Sequence, residues 1–162
     1  MQNITGRVSS IDGVLNNDTC ENLKFMIENL EVFSWSHVRG LDPVRAVGSA
    51  SADYYRAGPH RMTARFYQFL NSLAPVYEDA WLQDIVINKY EPGQFLGEHI
   101  DVHEHSKNLI IALDSNPDQG LMCEGIWYPD VAGRGLLMEG RTPPHSVPAV
   151  TQLRYTLIFL YE

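Results

Sequence analysis

The sequence predicts an α+β fold dominated by β structure, and three observations predict it. Apolar residues recur at helical spacing in two stretches of the first half, around 23–30 and 62–73. From about residue 81 the pattern changes to short apolar segments. Turn residues separate those segments: Glu-Pro-Gly at 91–93, Asn-Pro-Asp at 116–118, Pro-Asp at 129–130, Ala-Gly-Arg-Gly at 132–135 and Thr-Pro-Pro at 142–144. Seven or eight short strands so spaced indicate a sandwich or jelly roll, with the two helices covering one sheet face. A chain of 162 residues suits one domain. We take 1–162 as that single domain, with 1–80 as helical support and loop and 81–162 as the β core.

Each element follows in order. Asp18 or Thr19 caps a first helix whose apolar positions are Leu23, Met26, Ile27 and Leu30, with Glu21 in its first turn. A strand-like piece, Val32–Ser36, comes next. The Arg-, Gly- and Ala-rich stretch at about 37–58 has no clear period and reads as a long loop. Its length suits substrate recognition, and Arg39, Arg45, Arg56, Tyr54 and Tyr55 are the candidate contacts. Pro59 opens a second helix with Met62, Phe66, Phe69, Leu70 and Leu73 on one face, and Pro75 ends it. The candidate strands are Leu82–Tyr90, Gln94–Ile100, Asn108–Leu113, Leu121–Tyr128, Gly135–Glu139, Ser146–Val147 and Arg154–Tyr161.

Composition narrows the function classes. Apolar residues make up 44% and charged residues 20%, a globular and not a disordered balance. Net charge is −8, all of it from residues 77–162, which opposes a polyanion binder. The local exception is Arg39 to Arg65, where five Arg face only Asp42 and Asp53; a solvated face is the ordinary explanation of such a stretch. The longest apolar runs, Leu109–Leu113 and Leu157–Tyr161, are five residues each, too short to span a bilayer. The first residues hold no apolar signal-peptide segment, so a cytoplasmic location is expected, and the sequons at Asn3 and Asn17 carry no weight. Cys20 and Cys123 have no metal or redox spacing and read as buried free thiols.

The chemistry concentrates around Gly97-Glu98-His99-Ile100-Asp101. In an extended segment His99 and Asp101 project from one face. An imidazole beside a carboxylate needs only a third ligand to form a facial triad for Fe(II) with open positions. Alone, a His-x-Asp pair is weak, and a surface histidine near an aspartate is the bland alternative. His145 starts a short apolar strand, and Arg154 follows nine residues later on the final strand with Thr156 on the same face. A planar guanidinium there suits a bidentate hold on a carboxylate. That strand contains no acid before Glu162, so a ligand is the expected partner of a buried Arg154. Asn88 and Tyr90 share a face and bring an amide and a phenol near the same mouth.

Taken in this order, Asn88-Lys89-Tyr90-Glu91-Pro92-Gly93, Leu96-Gly97-Glu98-His99-Ile100-Asp101, His145-Ser146-Val147 and Arg154-Tyr155-Thr156-Leu157 resemble the Fe(II)/2-oxoglutarate-dependent dioxygenases, in their prolyl 4-hydroxylase-like branch. The resemblance covers about 84–161 and implies a double-stranded β-helix (jelly-roll) core with N-terminal supporting helices. It implies that His99, Asp101 and His145 ligate iron, and that Arg154 binds the far carboxylate of 2-oxoglutarate with help from Tyr90, Thr156 and Asn88. It implies hydroxylation of a C–H bond in a peptide, amino acid or other small substrate, with release of succinate and carbon dioxide, and ascorbate as a candidate auxiliary cofactor.

Two departures bear on the substrate. Cys123-Glu124 stands before Gly125 where many relatives carry Gly-Gly. The AlkB-like nucleic-acid demethylases, an alternative that shares Asn-x-Tyr and Arg-Tyr-x-Leu, carry a second Arg where this chain has Leu160. A non-catalytic jelly-roll module that binds a ligand or metal is a further alternative. His103 and His105 are expected in a loop at the pocket rim, and His37 and His60 on the surface.

Overall fold

The computed structural model describes residues 7–41, 51–101 and 106–162. Within them the chain runs β1 (Arg7–Ile11), α1 (Asn17–Asn29), β2 (Ser36–Leu41), β3 (Ser51–Ala57), a 3-10 turn (Pro59–Arg61) and α2 (Ala64–Leu73). There follow β4 (Leu82–Tyr90), β5 (Phe95–His99), β6 (Lys107–Ala112), β7 (Asn116–Cys123), β8 (Ile126–Asp130), β9 (Gly135–Glu139), β10 (His145–Val147) and β11 (Arg154–Tyr161). It is a mainly β fold with few helices.

The helices begin where side chains satisfy their first amides. Asn16, not Asp18 or Thr19, caps α1: its Oδ1 accepts from the Thr19 amide at 2.8 Å, which leaves Asp18 in the first turn where a negative charge suits the helix dipole. Pro59 starts only the 3-10 turn, and α2 begins after Thr63, whose Oγ1 accepts from the Phe66 amide at 3.3 Å.

All strand pairs are antiparallel, and neighbours follow the order β1-β9-β6-β11-β4-β3-β5-β10-β7-β8, with β2 on β3. The sheet curls so that β4, β6 and β11 face β5, β7 and β10 across one cavity. This curled antiparallel sheet is consistent with a jelly roll, and β3 bridges its halves through Ala52↔Leu96 and Asp53↔Phe95. Alternation sorts β11 into two faces. Tyr155, Leu157, Phe159 and Tyr161 join Leu23, Ile27, Phe66 and Leu70 of the helices in one apolar cluster. Arg154, Thr156, Ile158 and Leu160 line the cavity.

Three departures from the sequence expectations have physical reasons. Residues 37–41 and 51–57 are not loop: β2 and β3 pair with each other and join the main sheet, so the first half is not only helices and loop. Residues 42–50, Arg45 among them, lie outside the described residues. Between Val32 and Trp35 the strand pairing is a single bridge, Phe33↔Met62, flanked by bonds from the Ser34 amide to the Arg61 carbonyl and from the Thr63 amide to the Val32 carbonyl, and the strand begins at Ser36. The candidate Leu121–Tyr128 is two strands. Glu124 (φ 51°) and Gly125 (φ 75°) both take left-handed backbone and form a two-residue turn between Cys123 and Ile126. That turn has the twist a hairpin favours, so Glu124 adopts the conformation for which glycine is the usual choice.

Candidate metal centre

Antiparallel pairing of β5 with β10 sets His99 directly opposite His145. Asp101 lies two residues past His99 and returns to the same face. His99 Nε2 lies 3.3 Å and His145 Nε2 3.7 Å from Asp101 Oδ1, and the ligand atoms of all three residues fall within 4.8 Å of one another. Donors about 2.1 Å from one divalent ion, at right angles, stand about 3 Å apart, so the spacing fits a facial triad. The two imidazoles are 4% and 5% exposed.

The second layer fixes which nitrogen each histidine presents. His99 Nδ1 faces the Gly97 carbonyl at 2.9 Å, and His145 Nδ1 faces the Pro143 carbonyl at 2.7 Å. A carbonyl only accepts, so both Nδ1 atoms donate and each ring presents its Nε2 to the common centre. Asp101 is held twice: its amide donates to Thr142 Oγ1 at 3.0 Å, and its Oδ2 accepts from Asn108 Nδ2 at 3.1 Å. Asp101 Oδ1 is the oxygen nearest both histidines. The donor set fits Fe(II) in type and count, two imidazoles and one carboxylate on one face.

The seven expected metal and cosubstrate residues, Asn88, Tyr90, His99, Asp101, His145, Arg154 and Thr156, line one cavity of about 120 Å3. Val86, Ile110, Ile158 and Leu160 supply apolar wall. Register explains the grouping: Arg154 pairs with Tyr90, and Thr156 with Asn88. The Arg154 guanidinium carbon lies 5.3 Å from the centre of the Tyr90 ring, which in turn stacks on Tyr54 at 5.2 Å.

Arg154 has a protein partner that the sequence did not suggest. Its Nε donates to Asp130 Oδ2 at 2.7 Å and its Nη2 to Asp130 Oδ1 at 3.0 Å. Burial alone would lower the Arg154 pKa, but the Asp130 carboxylate, with a contribution from Tyr90, more than reverses this and raises it. Asp130 stood in the sequence as half of a Pro-Asp turn signal, 24 residues from the arginine. Asn108 and Thr142 show no local pattern that links them to the triad, whereas Arg56, expected as a loop contact to substrate, lines the cavity from β3. Asn88 Oδ1 and Asn108 Oδ1 are buried and have no hydrogen-bond partner among the described residues.

Other candidates lie elsewhere. His37 Nε2 is hydrogen-bonded to Asp53 Oδ1 at 2.7 Å and its ring stacks on Tyr55, on the face of the β2–β3 pair away from the cavity. Tyr54 is fully buried, so it cannot grip a partner at the surface. His60 is in the exposed 3-10 turn. His103 and His105 lie outside the described residues. Cys20 and Cys123 are buried free thiols, and burial, with a smaller contribution from Glu124, pushes Cys123 up to about 11. Among the described residues no helix is long and apolar enough to cross a membrane.

No family model matches the sequence, and no curated protein matches it significantly. Solved structures do match in fold. A Pseudomonas putida prolyl-4-hydroxylase aligns at TM-score 0.61 and 17% identity over 98% of this chain and 93% of that one. A Trichoplax adhaerens prolyl hydroxylase, in complex with a hypoxia-inducible-factor oxygen degradation domain peptide, aligns at 0.61 and 19% over 95% and 82%. A viral collagen prolyl hydroxylase of Paramecium bursaria Chlorella virus-1, as its 2-oxoglutarate complex, aligns at 0.57 and 15% over 95% and 94%. At these identities the likeness is one of fold.

Proposed function

We propose that this chain is an Fe(II)- and 2-oxoglutarate-dependent oxygenase that hydroxylates a C–H bond of a peptide, amino acid or other small substrate. The observation that carries this is the triad itself: His99, Asp101 and His145 converge, both imidazoles turn Nε2 inward, and Arg154 lines the same cavity. The fold likeness to prolyl hydroxylases supports it.

His99, Asp101 and His145 would hold the iron, and Arg154, Tyr90 and Thr156 would bind the far carboxylate of 2-oxoglutarate. When bound, the metal and 2-oxoglutarate supply the activation of dioxygen and the oxidative decarboxylation that yields succinate and carbon dioxide. The chain supplies position and dryness. The carbonyls of Gly97 and Pro143 keep the imidazoles in the tautomer that donates from Nε2. Asn108 steadies Asp101, and Val86, Ile110, Ile158 and Leu160 exclude water. We assign Asn88 to the side that receives substrate, because its buried carbonyl oxygen has no donor among the described residues and ionised 2-oxoglutarate has none to offer. Leu160 is part of the cavity wall, which opposes the AlkB-like alternative at the position where that branch carries its second arginine.

The test is succinate release in air, with Fe(II) and 2-oxoglutarate supplied, against peptidyl-proline, free amino acids and methylated oligonucleotides in turn. His99→Ala, Asp101→Ala and His145→Ala should each abolish it while the fold remains. Full activity in any of the three would remove that residue from the ligand set. Turnover with the oligonucleotide alone would replace the proposed substrate class.

A further inference from the structure

We propose that Asp130 is a positioning residue for the cosubstrate: it clamps one edge of Arg154 so that the remaining guanidinium N–H groups meet the far carboxylate of 2-oxoglutarate. This rests on the function proposed above. A guanidinium has five N–H donors in one plane. Asp130 engages Nε and one hydrogen of Nη2, at 2.7 and 3.0 Å, and so takes a single edge. Three donors remain, two on Nη1 and one on Nη2. Among the described residues none of them has a protein acceptor, although Arg154 is only 3% exposed and lines the cavity. Nη1 and the second Nη2 hydrogen form another parallel pair, the geometry that a second carboxylate fits.

These donors open onto the cavity, and Thr156 and Tyr90 stand at the same end of it. An arginine side chain also has many rotamers, and the clamp fixes its plane before the ligand arrives. The backbone around Asp130 is shaped for that task. The β7–β8 register shifts between Asn116 and Gly120, and a Cβ on Gly120 would lie 2.1 Å from the Tyr128 carbonyl oxygen and 2.9 Å from Pro129 Cα. Such an irregularity beside a site re-aims the following side chain, and Asp130 is the next residue, 7% exposed. Since Asp130 and Arg154 together are neutral, recognition at this corner comes from donor geometry and not from net charge.

The test uses the full chain loaded with Mn(II), which supports ligand binding without turnover, and two 2-oxo acids followed by calorimetry. One is 2-oxoglutarate. The other is 2-oxobutyrate, which keeps the metal-chelating end and lacks the far carboxylate. Asp130→Asn should weaken 2-oxoglutarate by about ten- to hundredfold, the worth of one charge-assisted hydrogen bond, and leave 2-oxobutyrate unchanged. Asp130→Glu, which retains the charge, should fold as well as the parent and recover part of the 2-oxoglutarate affinity; it also serves if Asp130→Asn does not fold. Equal weakening of both acids would make Asp130 merely structural and overturn the proposal. Unchanged or tighter 2-oxoglutarate binding would overturn it too, the latter by showing that Asp130 competes with the ligand. If the parent protein binds neither acid, the function proposed above fails instead.

Discussion

Replacing Arg154 by lysine tests its pairing with Asp130 through stability alone. Arginine makes two charge-assisted bonds to Asp130, Nε to Oδ2 at 2.7 Å and Nη2 to Oδ1 at 3.0 Å, with the two residues 3% and 7% exposed. Lysine preserves the charge but offers a point where arginine offers a fork, so one bond is lost, at a cost of about 1.5–3 kcal/mol. A domain of this size loses about 2–4 °C in Tm per kcal/mol, which gives a fall of about 3–12 °C. Arg154→Ala leaves a buried carboxylate unpaired, for about 3–5 kcal/mol, or about 6–20 °C. The double variant Asp130→Leu/Arg154→Met removes both charges and should recover most of that loss. Thermal unfolding followed by circular dichroism, with the single variants completing the cycle, reads all of these. Single variants that unfold within a degree of the parent, or a double variant that loses the sum of the two singles, would mean that the pair is not formed in the folded protein.

Three further outcomes are expected. Asn108→Leu removes the donor to Asp101 Oδ2 and should weaken Mn(II) binding about 10–100-fold, as loss of an outer-shell partner typically does; unchanged affinity in a metal titration would mean that Asn108 does not steady the ligand. Arg154→Lys should also raise the 2-oxoglutarate concentration needed for half-maximal succinate release by about ten- to hundredfold, and an unchanged requirement would place the cosubstrate elsewhere. Lys107, bonded to Glu139 at 3.0 Å and Asp79 at 3.2 Å, has its pKa raised above 10.5, first by the Glu139 bond and against the opposing effect of burial. Its folded value exceeds the unfolded one, so its contribution is complete below about pH 10.5 and is lost as pH rises through the higher folded value. Denaturant unfolding should then find a stability gap between the parent and Lys107→Met that is constant near neutrality and narrows above pH 10.5; a gap that widens there would contradict the ion-pair account.

The second half of the fold was legible because turn residues bound its strands. Leu82–Tyr90, Gly135–Glu139 and Arg154–Tyr161 have the limits read from sequence. The β2–β3 pair was not legible. Its strands, Ser-His-Val-Arg-Gly-Leu and Ser-Ala-Asp-Tyr-Tyr-Arg-Ala, put Arg56 toward the cavity and His37 and Asp53 on the opposite face. With polar residues on both faces, the alternation that marks a half-buried strand disappears. In the site, His-x-Asp and Arg-x-Thr are visible because a strand places residues two apart on one face. Asp130, Asn108 and Thr142 reach the site only through pairings between distant segments, which no local spacing reports. No acid stands on the strand of Arg154 before Glu162, and its partner comes instead from the end of β8.

Anaerobic titration of the Fe(II)-loaded protein with 2-oxoglutarate tests the central claim most directly. Binding of the 2-oxo acid to a ferrous ion held by His99, Asp101 and His145 should give a weak visible charge-transfer band that saturates at one equivalent. The band should be absent in Asp101→Ala and should disappear, with succinate released, when air is admitted. A parent protein that binds Fe(II) through these residues but develops no band, or that keeps the band in Asp101→Ala, would contradict the assignment of this cavity as an Fe(II)/2-oxoglutarate site.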